Sequence, residues 1–400
     1  MKKLTILIFS VIFSVALYGQ EVADQLLSAK ALISRGETEK AISMLGSAIS
    51  GQPDYRLYLQ RAEAYLMAGD YSGALSDYNE ANNLNSGSGE YGLSRIYALK
   101  GDVETSLYHL ERNIGSNWKK SEKDIMLDPA FGAVENKAGW KSFWKKERYT
   151  ELERKISEVE FYASSARPDE AKAISDELKA GYPDNDAVSY AEALYYNSAH
   201  KPSEAIRSIT PLIGKYPGNE KYLRVLAKAQ EETANSAGLT DTYSRMLDSG
   251  VTDAGVLLKR AMAYRKTGEN DKALADIQKY LSFYPSDMNA LSMQGKTMAA
   301  SGDNLRALEL FSRNLSLHPE DPQCYIDRAD SYFVSRTWDR AIDDYSMSLD
   351  LKPGNPEAWL NKGIALLNTA RKQEACHDFR KALSLGNKKA SEYISRNCIK

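Results

Sequence analysis

Three cysteines and four histidines in 400 residues leave little material for thiol or metal chemistry. His109, His200, His318 and His377 are scattered, with no HExxH motif and no pair spaced i, i+4. GxSxG and GxxxxGK[ST] are absent, so neither a nucleophile elbow nor a P-loop is expected. No strand–glycine-loop–helix unit for a dinucleotide is expected either. Charge of one sign is not in excess: 52 basic residues face 54 acidic ones, for a formal net charge of −2. A polyanion-binding protein needs a basic surplus on some face, so nucleic acid is not an expected partner. Long apolar runs are missing too, apart from one at the start. There Lys2 and Lys3 precede Leu4 to Tyr18, which is apolar except for Thr5, Ser10 and Ser14. That run falls short of the roughly 20 residues that a spanning helix needs. It reads as a signal peptide over residues 1–19, cut near Ala16 or Gly19, with an uncleaved anchor as the alternative. No cysteine follows the run, which excludes lipid attachment at a processed N-terminal Cys.

What is present is a period. Pro183, Pro217, Pro285, Pro319 and Pro353 share one 34-residue register. Five of the 12 prolines keeping that register points to a repeat. Units starting at Leu152, Asp186, Glu220, Ala254, Met288, Pro322 and Pro356 bring the other residues into line. In the last four units the eighth position is Ala261, Gly295, Ala329 and Gly363. The twentieth is Ala273, Ala307, Ala341 and Ala375, and the twenty-fourth is Ile277, Phe311, Tyr345 and Phe379. Small residues recur where two helices would cross closely and large ones where the gap is wide. Glycine turns such as Ala68-Gly69-Asp70, Lys100-Gly101-Asp102, Thr267-Gly268-Glu269 and Ser301-Gly302-Asp303 separate helix from helix.

These residues resemble the tetratricopeptide repeat, whose order is W-x2-L-G-x2-Y, then A-x3-F, then P. The last unit reads Trp359, Gly363, Ala375, Phe379 and Ala382. The one before it reads Tyr325, Ala329, Tyr332, Ala341, Tyr345 and Pro353. Three further units start near Val22, Tyr55 and Gly87, giving about ten repeats. The third, fourth and sixth are degenerate; in the sixth, Leu239 stands where a small alanine is expected. The resemblance implies an all-α TPR solenoid, a right-handed superhelix of helix-turn-helix repeats in two arrays. The expected division is residues 1–19 signal peptide, 20–120 N-terminal array, 121–151 connector, 152–387 C-terminal array and 388–400 capping helix.

Residues 121–151 break the period and gather Phe131, Trp140, Phe143 and Trp144. Such rings are hard to leave in water, so a plug packed at the array junction is the plain expectation. Beside Trp140 and Trp144 stand Lys145 and Lys146, an alternative contact for a partner or an anionic lipid. Cys324 reads as a small buried residue. Cys376 and Cys398 flank the turn Leu385-Gly386-Asn387, and a final helix running back along its neighbour would bring them together as a disulfide.

The resemblance implies a non-catalytic scaffold without cofactor or metal, binding another protein or a peptide segment in a concave groove. Positions two, five, nine and twelve of each first helix face that groove in the family. In the sixth repeat they are Lys221, Arg224, Lys228 and Glu231. In the last two they include Ile326, Phe333, Leu360, Ile364 and Leu367, either a hydrophobic slot for a partner or a face covered from within. The family's carboxylate-clamp lysine and asparagine, at positions five and nine, have no match. Two other readings remain: a glycan- or ligand-capturing envelope component using some of the 25 tyrosines, and an enzyme with convergent acids, for which no residue argues.

Overall fold

The structure, a computed structural model, describes residues 21–398. The expected signal peptide lies outside these residues. Among the described residues every regular element is helical. The chain divides into two compact units, one up to Val256 and one from Leu257. That cut follows spatial contact and so falls within the run of 34-residue hairpins, inside the helix Gly255–Lys266.

Two ladders of local chemistry write the hairpins. The first starts each first helix. Asn185, Asn219, Asp253, Asp287, Asp321 and Asn355, all 34 apart, accept hydrogen bonds from backbone N–H groups of the turn that follows. Each such cap satisfies donors that the helix itself cannot reach. Proline two residues upstream, as at Pro183 or Pro353, closes the preceding helix. The second ladder turns the hairpin. Gly268 and Gly302 take φ of +80° and +87°, and Ala166, His200, Ala234, Arg336 and Ala370 take φ between 54° and 61° at the same repeat position. Left-handed backbone at a helix end frees carbonyls for capping, at a cost to any residue with a Cβ.

In the unit ending at Val256, hairpins built on Tyr55–Met67 with Tyr71–Leu84 and on Glu90–Leu99 with Val103–Ile114 lead into the connector. After it come Glu151–Ser164 with Pro168–Gly181, Asp186–Ser198 with Pro202–Lys215, and Glu220–Glu232 with Ser236–Asp248. The sixth repeat buries Leu239 where its relatives bury alanine. The first helix, residues 21–34, returns to the far end of the same unit: the Lys30 ammonium donates to the Thr252 carbonyl at 3.2 Å. Burial there lowers the Lys30 pKa, and Glu220 and Asp253 oppose the shift.

The unit from Leu257 is the more regular. Its hairpins include Met288–Ala300 with Asn304–Leu317, Pro322–Val334 with Trp338–Leu351, and Pro356–Asn368 with Lys372–Ser384, closed by Ala390–Asn397. Ala261, Ala329 and all four twentieth-position alanines are wholly buried, beside Ile277, Phe311, Tyr345 and Phe379. Glycine stands at position eight where phenylalanine faces it. A Cβ on Gly295 would lie 2.4 Å from the Phe311 ring, and one on Gly363 would lie 2.6 Å from the Phe379 ring.

Candidate functional site

The groove positions of the second unit are only partly open. Ile326 is half-buried beside Ala329 and Tyr345. Phe333 is half-buried and packs edge-on against Trp338 at 5.2 Å and Tyr345 at 6.4 Å. Ile364 and Leu367 are half-buried at the margin of the last core. Leu360 corrects the expectation of a groove contact: it is 3% exposed and belongs to the same core as Ile342 and Leu366. Position five of the last first-helix lies between its neighbours, where it helps to hold the final hairpin. The remaining apolar edge therefore runs through Ile326, Phe333, Ile364 and Leu367.

Beside this edge lies a polar network. Asp327 is 2% exposed. Its carboxylate accepts from Gln323 Nε2 at 2.8 Å and from the Ser292 hydroxyl, and pairs with Lys296 at 2.8 Å. The charge is fully answered, which is what a buried carboxylate requires. Asp330 accepts from the Tyr345 hydroxyl at 2.5 Å. Desolvation raises the Asp330 carboxyl, although the residue as a whole is open to solvent. Desolvation also pushes the Tyr345 phenol up, with the Asp330 charge adding to it.

Two clefts line the loop edge of this unit. One, of about 700 Å³, is bordered by Met288, Ile326, Ser348, Leu351, Lys352 and Asn355. Its neighbour, of about 540 Å³, shares Met288 and Asp321 and adds Leu317 and His318. Leu317 and Leu351 are 43% and 46% exposed. The groove positions do not include them, yet the sequence holds a signal: leucine two residues before proline, at Pro319 and Pro353, one period apart.

The connector forms a plug on the third repeat. Phe131, Val134, Trp140, Phe143 and Tyr149 share a core with Ala98 and Leu110. Trp140 corrects the alternative reading as a partner or lipid contact, because it is 4% exposed and stacks on Phe131 at 5.0 Å. Trp144 is half-buried, edge-on to Trp140 and Phe143. Lys145 and Lys146 are exposed. The Arg148 guanidinium lies 3.5 Å from the Phe143 ring centre and pairs with Glu111. Toward the next repeat the links are polar: Lys119 with Glu153 and Arg154 with Glu122.

Cys376 and Cys398 are joined in a disulfide with Cα atoms 5.7 Å apart. Tyr393 of the final helix stacks on Phe379 at 5.1 Å, so bridge and ring together hold that helix on the last hairpin. Burial pushes the Cys324 thiol up to about 11, which keeps it protonated and unreactive. Among the described residues no cluster of three or more metal-ligating side chains occurs, and no helix is long and apolar enough to cross a membrane. A GxGxxG spacing does occur, at Gly87, Gly89 and Gly92. It follows the helix Tyr71–Leu84 instead of a strand. A Cβ on Gly89 or Gly92 would lie 2.1 or 2.2 Å from Tyr78 atoms, so those two glycines allow close packing. Tyr78 and Tyr345 are core residues, so those two rings offer no face to a sugar.

The architecture is thus a solenoid of helical hairpins with an interrupted period. Tetratricopeptide-repeat models match residues 26–88, 256–287, 292–356 and 326–390, and the chain belongs to the tetratricopeptide-repeat family. No curated protein matches it. Among solved structures it is similar to a tetratricopeptide repeat protein from Parabacteroides merdae, with 20% identity and a TM-score of 0.49 over 62% of this chain and 99% of that one. It is also similar to the C-terminal part of a repeat-containing protein from Cytophaga hutchinsonii, with 16% identity and a TM-score of 0.49 over 59% and 98%.

Proposed function

We propose that this chain is an exported, non-catalytic scaffold of the cell envelope that holds a partner polypeptide on its C-terminal repeats. The observation carrying the reading is the half-buried edge of Ile326, Phe333, Ile364 and Leu367 on consecutive first helices. Apolar anchors that a fold leaves partly open, with charge such as Lys296 beside them, suit a helix or an extended segment of another protein. Export is supported by the charged-then-apolar start at residues 1–19 and by a disulfide, which persists in oxidising compartments. A crosslinking pulldown from native envelope, run with the parent and with Phe333→Ala, tests the binding. The variant should lose the partner while keeping its helical content, with a loss of more than about 1 kcal/mol. Retained binding combined with early unfolding would make Phe333 a core residue and remove the slot. Cell fractionation with N-terminal sequencing tests export: a mature chain beginning after residue 16 or 19 supports it, and an intact Met1 in the cytoplasm opposes it.

A further inference from the structure

The two loop-edge clefts repeat one another. Met288 and Pro322, Leu317 and Leu351, and Asp321 and Asn355 are equivalent pairs, each 34 residues apart. The preceding equivalent is filled: Phe283 stands where Leu317 and Leu351 stand, and it is 7% exposed. So the strip holds two open clefts, each with an exposed leucine at its wall.

The larger cleft also holds hydrogen-bond capacity that the fold leaves unused. Ser348 is wholly buried and lines the cleft, and its hydroxyl has no partner. Three repeats place alanine here, Ala48, Ala81 and Ala382, and the others vary from Leu178 to Asn314, so the hairpin does not need the hydroxyl. A buried hydroxyl left unpaired costs stability and is met by something outside the fold or not at all. Lys352 makes no ion pair among the described residues. Asn355 engages its carbonyl oxygen with two backbone N–H groups and keeps its amide hydrogens free. Asp321 lines the same cleft and brings a carboxylate acceptor, so donors and acceptors stand together on a wall of Met288, Ile326 and Leu351. A ligand complementary to it supplies donors and acceptors together with an apolar side chain, as an extended peptide does.

Resting on the scaffold reading above, we infer that this edge is a docking strip for an extended peptide with two apolar side chains, one per cleft. Its carbonyls meet Ser348, Lys352 and Asn355. Neighbouring helices pack about 8–10 Å apart. Leu317 and Leu351 stand on second helices with one first helix between them, so at about 3.3–3.6 Å per residue an extended chain spans the two anchors with about three to six residues.

The test is a fluorescence anisotropy titration of the full chain with a set of capped, fluorescein-labelled peptides, each carrying two leucines separated by about two to five serines. Leu351→Asp lies at an exposed position, so the fold should persist, and affinity should fall about tenfold or more. Ser348→Ala should raise the melting temperature while weakening the peptide about two- to tenfold. A peptide with adjacent leucines should bind more weakly than the best of the set. Parent-like binding by Leu351→Asp, or no binding of any peptide of the set up to about 1 mM, overturns the strip. If Phe333→Ala abolishes binding and Leu351→Asp does not, the peptide sits in the groove: the strip falls and the scaffold reading stands. A partner captured in the envelope pulldown while every peptide of the set fails to bind likewise overturns the strip and leaves the scaffold reading in place.

Discussion

The C-terminal repeats and the connector at 121–151 both bury large rings, but they do so by different rules. In the repeats, each ring has a fixed opponent at a fixed place in the period: Phe311 meets Gly295 and Phe379 meets Gly363. In the connector, Trp140 meets Phe131, Phe143 meets Arg148, and no position repeats. The repeats gain stability from many equivalent contacts, each replaceable by its neighbour's solution. The connector depends on one cluster that occurs once.

The variant that separates the two regions most strongly is Trp140→Ala. Removing a buried ring from the single cluster should cost about 3–5 kcal/mol, measured by urea denaturation. The second is Cys398→Ser, which frees the final helix and should cost about 2–4 kcal/mol under oxidising conditions; under reducing conditions it should match the parent. The third is Gly363→Leu, which drives a side chain into Phe379 and should cost about 1–3 kcal/mol. A parent-like melting curve for that variant would contradict the repeat register.

A fourth prediction uses an irregularity inside the array. Arg61 with Asp77, Arg260 with Asp276, and Arg328 with Asp344 form two-pronged pairs, each bond 2.7 Å. At the fourth equivalent, Lys362 reaches Asp378 at 3.3 Å, and one Asp378 oxygen has no hydrogen-bond partner. Burial accordingly raises the Asp378 carboxyl, against the opposing pull of Lys362. A raised carboxyl contributes stability that is present below its unfolded pKa and lost as pH rises through its folded one. Lys362→Arg should restore the fork, add about 1 kcal/mol near neutral pH, and flatten that loss in a pH series of melting curves. The weakest effect belongs to the hairpin turn. Ala234→Gly relieves left-handed strain and should stabilise by about 0.5–1 kcal/mol, read as a small rise in melting temperature.

The repeat register was legible because residue size alternates at a fixed interval, and all seven unit starts read from it lie within one residue of an observed helix start. The left-handed turns were legible where glycine marks them, at Gly69, Gly101, Gly268 and Gly302. At Ala166, Ala234, Arg336 and Ala370 the backbone carries the strain without announcing it by residue type. The Asx ladder from Asn185 to Asn355 was in plain sight yet lay outside the family pattern used to set the register. Leu360 was misplaced because a position number says which way a helix face points, and says nothing of whether the next hairpin covers it. Ser348 was invisible for a related reason: serine in place of alanine reads as conservative until its hydroxyl is found unpaired.

Whether a partner rests on the C-terminal repeats can be decided in cells. Phe333, and separately Lys145, is replaced with a photo-crosslinking phenylalanine derivative, and the native envelope is illuminated. A discrete adduct from position 333 and none from position 145 is the expected result. An adduct from position 145 alone would place the partner on the connector and contradict docking on the repeats.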